Sequence, residues 1–251
     1  MILARSVSPH YPMIDIHCHI LPALDDGPLD IEGSLAMARV AAEDGIRVIV
    51  ATPHITGDRL GVTPEVIRER VRELQSAIDI AGIPIGVLPG AEHELSDRLS
   101  ERVRQGQAMT IADGGRYILV EMPFTGGQML LVEHAVFALQ LAGLTAVIAH
   151  PERSSAATGR QSDMLRRLSQ RGCLLQVNAG SLLGWEGRRI RDAARRLLRA
   201  GLVDVLATDA HNLRDRRPAL SPCARYVGRF AGAGAFEELT QDLPTRLIAA
   251  R

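Results

Sequence analysis

Seven short apolar runs, at residues 13–17, 46–51, 84–88, 116–120, 144–149, 173–177 and 202–207, alternate along the chain with segments of helical pattern. Continuous apolar, β-branched runs of this length mark strands buried on both faces, as in a parallel sheet covered by helices. Their regular alternation with helices predicts a parallel α/β architecture. Helix signals agree: Pro28 and Asp30 open a segment closed by Gly45, and Thr63-Pro64-Glu65 opens another running to about Ala81. Residues 1–12 read as a leader, residues 218–251 as two helices broken near Gly232 and Gly234, and the whole of 1–251 as one domain.

Six of the seven runs end on a side chain able to bind a metal. The first ends Ile16-His17-Cys18-His19, and residues i and i+2 of a strand share a face, so His17 and His19 can close on one ion. The others end at Thr52-Pro53-His54, Gly90-Ala91-Glu92, Glu121-Met122-Pro123, His150-Pro151-Glu152-Arg153 and Thr208-Asp209-Ala210-His211. In barrel enzymes the C-terminal strand ends form the active face. Five of the eight histidines would then converge there, with Glu92, Glu121 and Asp209, which argues a metal site.

Composition narrows the function. The 29 basic and 29 acidic residues cancel, so no global field favours nucleic acid or an anionic membrane. Every basic residue is arginine, and without lysine neither Schiff-base chemistry nor a phosphate-loop lysine is available. Cys18, Cys173 and Cys223 lack paired spacing, no run is long enough to span a bilayer, and no secretory signal is present. A cytoplasmic protein is expected.

With these motifs assembled, together with Asp25-Asp26-Gly27-Pro28, Gln176-Val177-Asn178 and Asp209-Ala210-His211-Asn212-Leu213, the chain resembles the PHP (polymerase and histidinol phosphatase) superfamily over about residues 13–230. Within it the segments are similar to the bacterial manganese-dependent protein-tyrosine phosphatases of capsule and exopolysaccharide synthesis. The resemblance implies a distorted (β/α)7 TIM-like barrel, the PHP fold, holding a three-metal cluster. Carried over, His17, His19, Glu92 and Asp209 would hold one ion. Glu92, as a bridge, with Glu121 and His150 would hold the second, and Asp26, His54 and His211 the third. The strand ends point to all of these except Asp26. Imidazole and carboxylate donors without thiolate suit Mn2+, with Fe or Zn also compatible, and the family favours manganese.

The implied activity is phosphomonoester hydrolysis by attack of a metal-activated hydroxide on phosphorus. Arg153 and Arg217 are the candidate phosphate clamps, because a guanidinium matches phosphate oxygens bidentately; Arg216 rivals Arg217, since Leu213-Arg214-Asp215-Arg216-Arg217-Pro218 holds one residue more than the branch pattern. The expected partner is the phosphotyrosine tail of a bacterial tyrosine kinase that controls polysaccharide export. The alternatives are a phosphatase of a small molecule such as histidinol phosphate and a non-catalytic, metal-stabilised module. Oligomerisation stays open, because Ile31-Glu32-Gly33-Ser34 carries one glutamate where some relatives have a pair.

Other residues have plainer readings. Cys18 alternates away from the two histidines and reads as core, His93 as structural, and His10 and His134 as ordinary surface or helix residues. Trp185 lines the pocket mouth or simply packs, and Asn178 orients a ligand or caps a turn. The arginines at 188, 189, 191, 195, 196 and 199 read as a solvated helix face, with docking of an acidic tail as the alternative.

Overall fold

The apolar runs become strands, and two of them break. In a computed structural model, which describes residues 12–55, 61–122, 129–154 and 162–250, the strands are β1 (Met13–Cys18), β2 (Ile46–Ala51), β3 (His54–Ile55), β4 (Gly86–Pro89) and β5 (Glu92–Glu94). They continue as β6 (Tyr117–Glu121), β7 (Thr145–Ala149), β8 (Leu174–Asn178) and β9 (Val205–Ala207). All but Pro12 of the expected leader, His10 included, lies outside the described residues.

The strands pair in parallel in two sheets, ordered β1-β2-β4 and β3-β5-β6-β7-β8-β9. The split falls where the second run is cut at Thr52-Pro53 and the third at Gly90-Ala91. Pro53 has no N–H to give a ladder. Gly90 lies so close to β2 that a Cβ there would sit 2.6 Å from Val50 Cγ1. Beyond the breaks His54 pairs in register with Glu92, so the two interruptions set two candidate ligands side by side.

The outer edges, β1 and β9, meet without a continuous ladder. A single parallel bridge joins Cys18 to Ala210, flanked by Asp209 N–H donating to His17 O and His19 N–H donating to Ala210 O, both at 2.8 Å. Asp15 supplies the rest: Oδ1 accepts from Thr208 N at 3.0 Å and Oδ2 accepts from the Thr208 hydroxyl. Asp15 is fully buried, and burial pushes its pKa up to about 6 against the opposing pull of the Thr208 bonds. The α/β expectation therefore holds in a distorted form, seven strand positions in sequence order whose edges are stapled rather than zipped.

Local sequence explains the covering helices. In α1 (Ile31–Asp44), Asp30 caps the start by accepting from Gly33 N at 2.8 Å, and Gly45 ends it in the left-handed region at φ 100°. In α2 (Pro64–Ile80), Thr63 is the cap and the stripe Ile67, Val71, Leu74, Ile78 is buried. Then come α3 (Leu99–Arg104), α4 (Met129–Leu141), α5 (Ser162–Gln170), α6 (Ala179–Leu183) and α7 (Arg188–Arg199). The short α6 precedes Trp185. The tail is α8 (Ala224–Phe230), then α9 (Ala235–Glu237), a π turn (Glu238–Asp242) and α10 (Leu243–Ala249), with Gly232 and Gly234 in the left-handed conformation at the break.

Two apolar clusters lie on opposite faces of the strands. One packs strands against helices; the other, with Ile14, Ile16, Leu119, Val147, Val205 and Ala207, lies within the curl of the sheet and is plugged by Ile111 and by Leu247 of α10. Between Asp15 and Cys18 the register slips, Asp15 facing Ile49 and Cys18 facing Ala51, so three steps on β1 oppose two on β2. This bulge turns Cys18 out of the Ile14–Ile16 row into the helix-side cluster. Replacing Asp15 by alanine strands the buried Thr208 donors, and the expected loss is about 2–4 kcal/mol in urea unfolding. A midpoint unchanged from wild type would show that the edges hold without the staple.

Candidate metal centre

The inner cluster ends upward in polar residues, because the alternation of β6, β8 and β9 carries Glu121, Gln176, Asn178 and Asp209 onto its side of the sheet. His17 and His19 end β1, and their Nε2 atoms lie 3.2 Å apart. Around that pair His17 Nε2 is 3.3 Å from Glu92 Oε2 and 3.4 Å from Asp209 Oδ1, and His19 Nε2 is 3.4 Å and 3.5 Å from the same two oxygens. Four donors around one cation at bonds of about 2.1 Å would stand roughly 3.4 Å from one another. All four side chains are buried.

The neighbouring groups share members with this one. His150 Nε2 lies 2.8 Å from Glu92 Oε1 and 3.6 Å from Glu121 Oε1. His211 Nε2 lies 3.2 Å from Asp26 Oδ1, and His54 Nε2 is 3.8 Å from the same oxygen. The ligating atoms fall into four overlapping sets, each within 4.8 Å: His19, Asp26, His54 and His211; His17, His19 and Glu92; His17, His150 and Asp209; and Glu92, Glu121 and His150. The structure thus gathers all nine candidate ligands and adds His19 to the group of Asp26.

The residues fit metal ions by their tautomers as well as their spacing. His17 Nδ1–H donates to Gln176 Oε1 at 2.8 Å, His19 Nδ1–H to Asp25 Oδ2 at 2.6 Å, and His211 Nδ1–H to Asp209 O at 3.0 Å. Each ring therefore turns its Nε2 lone pair inward. His211 Nε2 is buried and makes no hydrogen bond, despite the nearby Asp26 oxygen. The facing Nε2 atoms of His17 and His19 repel unless a proton or a cation lies between them.

The surrounding carboxylates favour the charged form of two of these rings. Burial opposes charge on His19, yet Asp25 and Glu92 overcome it and lift the ring to about 10. Burial likewise opposes charge on His150, and Glu92 lifts it to about 9. Against their own burial, Glu92 is held well below the usual carboxylate range by His17 and His150, and Asp209 by the same two rings and Arg216.

Backbone conformation carries a further cost at two of these positions. His150 and Asp209 lie in the left-handed region at φ 30° and 51°, where a non-glycine residue is strained by about 1–3 kcal/mol. The Asp26 loop wraps so tightly that a Cβ on Gly27 would stand 2.3 Å from His19 O, so glycine alone fits there.

Sequence reasoning gave no role to Asp25 or Gln176, which stand behind the ligands, and left Asn178 between two readings. Asp25 orients His19 and also accepts from His54 N at 3.1 Å. Gln176 links His17 to Asn178, whose Oδ1 accepts from Gln176 Nε2 and whose Nδ2 donates to Asp209 Oδ2, both at 2.8 Å. Asn178 is thus the ligand-orienting residue of its two readings. The available signal was the alternation of Gln176 and Asn178 on one face of β8, and the doubled acid at Asp25-Asp26.

The arginines require a correction. Arg153 donates to Asp209 Oδ2 at 3.0 Å, as placed beside His150. Arg217, however, is exposed and donates to Arg214 O, whereas Arg216 donates to Asp209 Oδ1 at 2.7 Å and lies 3.6 Å from Asp26 Oδ2. The cause is a turn in which Asn212 Oδ1 accepts from the amides of Arg214, Asp215 and Arg216, while Arg216 O accepts from His211 N and Asn212 N. That turn aims Arg216 inward and Arg217 outward. Elsewhere Cys18 Sγ faces Ala210 O, His93 Nε2 lies 2.9 Å from Met109 O, His134 is exposed, and Trp185 packs over Gly180.

Comparison with known proteins follows this geometry. A family model described as capsular polysaccharide synthesis, CpsB/CapC, matches residues 13–249. The tyrosine-protein phosphatase YwqE of Bacillus subtilis (strain 168) is 39% identical over 204 residues, covering 81% of this chain and 79% of that one. A structure from the crystallography of YwqE from Bacillus subtilis and CpsB from Streptococcus pneumoniae, unique metal-dependent tyrosine phosphatases, aligns over 95% of each chain at 36% identity with a TM-score of 0.87. The phosphotriesterase homology protein from Escherichia coli, at 11% identity and a TM-score of 0.60 over 96% of this chain, shares the fold alone.

If Gln176 sets the tautomer of His17, Gln176→Leu should weaken metal affinity by about 10–100-fold in chelator competition while circular dichroism stays native. Unchanged affinity would mean that His17 needs no partner at Nδ1.

Proposed function

The chain belongs to the CpsB/CapC family of capsular polysaccharide synthesis, and on that premise we propose that it is a metal-dependent protein-tyrosine phosphatase. The observation that carries the proposal is the pair Arg153 and Arg216, both held on Asp209 at the rim of the ligand cluster. Two guanidiniums beside clustered metal ligands suit the oxygens of a phosphate dianion. His17, His19, Glu92 and Asp209 would hold one ion, Glu92, Glu121 and His150 a second, and Asp26, His54 and His211 a third. Manganese fits a set of imidazole and carboxylate donors, and the resemblance to manganese-dependent phosphatases favours it. Divalent cations bound there would offset the charge of the ester and would acidify a water.

The protein's own groups then divide the work. Asp25 and Gln176 keep the Nε2 atoms of His19 and His17 pointed inward, and Arg153 and Arg216 orient the phosphate oxygens. A pocket of about 470 Å³ opens beside Asp26 and His211, lined by Pro28, Leu29, Met37 and Leu213 among others. Leu29 is 87% exposed and Leu213 38% exposed, an unusual way to spend large apolar side chains beside a charged cluster. The pocket suits a phenyl ring. A departing phenolate, with a pKa near 10, needs little help from a general acid, and none is assigned.

On the family resemblance, the substrate we propose is a phosphotyrosine in the tail of a bacterial tyrosine kinase governing polysaccharide export, met in the cytoplasm. In support, the relatives described above are tyrosine phosphatases by name. Among the described residues no helix is long and apolar enough to cross a membrane.

Protein stripped of metal and reloaded with manganese should hydrolyse a phosphotyrosine peptide, and His150→Ala and Asp209→Ala should abolish turnover. Preference for histidinol phosphate over the peptide would transfer the site to small molecules, and inert but metal-stabilised protein would make it a non-catalytic module. Arg216→Ala should cost about 10²–10³ in kcat/KM, on the scale of a lost transition-state donor, whereas Arg217→Ala should leave it within a few-fold. Leu29→Asp with Leu213→Asp should raise KM for the tyrosine peptide and spare an aliphatic phosphate ester; equal losses on both would remove the aryl pocket from the account.

A further inference from the structure

Helices α7 and α8 enclose a second concavity that shares no residue with the candidate metal centre. It has a volume of about 450 Å³ and is lined by Arg195, Arg199, Arg225, Arg229, Tyr226 and Phe230. Among the described residues no carboxylate comes within 4 Å of any of these four guanidiniums, although Arg191, one turn earlier on α7, has Asp192 at 3.1 Å. Four like charges facing one hollow repel one another, and exposure to water alone does not require them to be held in place.

Three of the four are held in place, and Arg225 completes the lining. Arg195 Nε donates to Leu182 O at 3.1 Å, and its guanidinium stacks over the Tyr226 ring at 4.3 Å. Arg199 donates to the Tyr226 hydroxyl at 3.1 Å and lies 4.7 Å over the Phe230 ring, which Arg229 also covers at 5.2 Å. Tyr226 and Phe230, one turn apart on α8, lie 4.6 Å from each other. The rings thus act as a rack that fixes guanidiniums by cation–π contact. Each fork keeps unused N–H groups, because a guanidinium has five donors and these contacts take one apiece from Arg195 and Arg199.

From this we infer that the pocket between α7 and α8 is an anion site for a compact ligand carrying two or more linked phosphates, such as a nucleoside di- or triphosphate. The volume falls in the range of small-molecule sites. Fixed guanidinium forks match phosphate oxygens bidentately and lose little entropy on binding. The walls are two helices and offer no strand edge, the feature by which an extended acidic peptide adds main-chain hydrogen bonds. The inference is independent of the phosphatase assignment, because none of these residues takes part in it.

The test is calorimetric titration of the full chain with pyrophosphate, with ADP and with an oligoglutamate peptide, in the presence of chelator. Saturable one-to-one binding of pyrophosphate and ADP, lowered at least tenfold in Arg199→Gln/Arg225→Gln and retained in Arg153→Gln/Arg216→Gln, supports the site. A wild-type thermal midpoint and undiminished hydrolysis of p-nitrophenyl phosphate by the Arg199→Gln/Arg225→Gln protein would separate lost binding from lost fold. Arg199→Lys, which keeps the charge and loses the fork, should bind in between. No saturable binding, loss confined to the Arg153→Gln/Arg216→Gln protein, or tighter binding of oligoglutamate than of pyrophosphate would overturn the proposal.

Discussion

The contact on which the rest of the site depends is the junction of β1 with β9. It is made by Asp15 on Thr208 and by the crossed backbone bonds of His17 with Asp209 and His19 with Ala210. It sets the first strand end beside the last, where the two histidines of one and Asp209 and His211 of the other supply four of the nine candidate ligands. A continuous ladder would hold these edges evenly along their length. The staple concentrates the hold at the level where the ligating atoms must meet, using a fully buried carboxyl group whose desolvation the Thr208 donors offset only in part.

Above that junction the cluster is a concentration of charge that water would separate. Carboxylates and imidazoles at 3.2–3.5 Å are compatible only with positive charge among them. The carboxylates raise the pKa of His19 and His150 accordingly, and divalent cations bound there would compete with protons. The strained backbone at His150 and Asp209 belongs to the same pattern, since left-handed non-glycine residues persist where their surroundings over-determine them. The tautomer-fixing contacts from Asp25, Gln176 and Asp209 complete the site.

Much of this was legible in the sequence, and the limits have physical causes. Strand ends are read from where apolar runs stop, so His17, His54, Glu92, Glu121, His150 and Asp209 stood out without any fold. Asp26 did not, because a loop ligand has no periodicity to announce it, and only the resemblance supplied it. The breaks at Thr52-Pro53 and Gly90-Ala91 hid inside otherwise good strands; proline at the end of an apolar run reads as a terminus, not as an interruption before two more paired residues. Arg216 and Arg217 differ only by which way a turn capped by Asn212 throws them, and that depends on three backbone hydrogen bonds to one side chain. The α7 arginines read as a solvated face because their aromatic partners, Tyr226 and Phe230, lie some 30 residues on in α8.

The central claim is that the converging strand ends form one preorganised multi-ion site. Diffraction from manganese-loaded crystals, recorded at the manganese absorption edge, tests it most directly. Three anomalous peaks are predicted, one enclosed by His17, His19, Glu92 and Asp209, one by Glu92, Glu121 and His150, and one by Asp26, His54 and His211. No peak among these side chains, or ions held instead by residues such as Cys18 or His93, would contradict it.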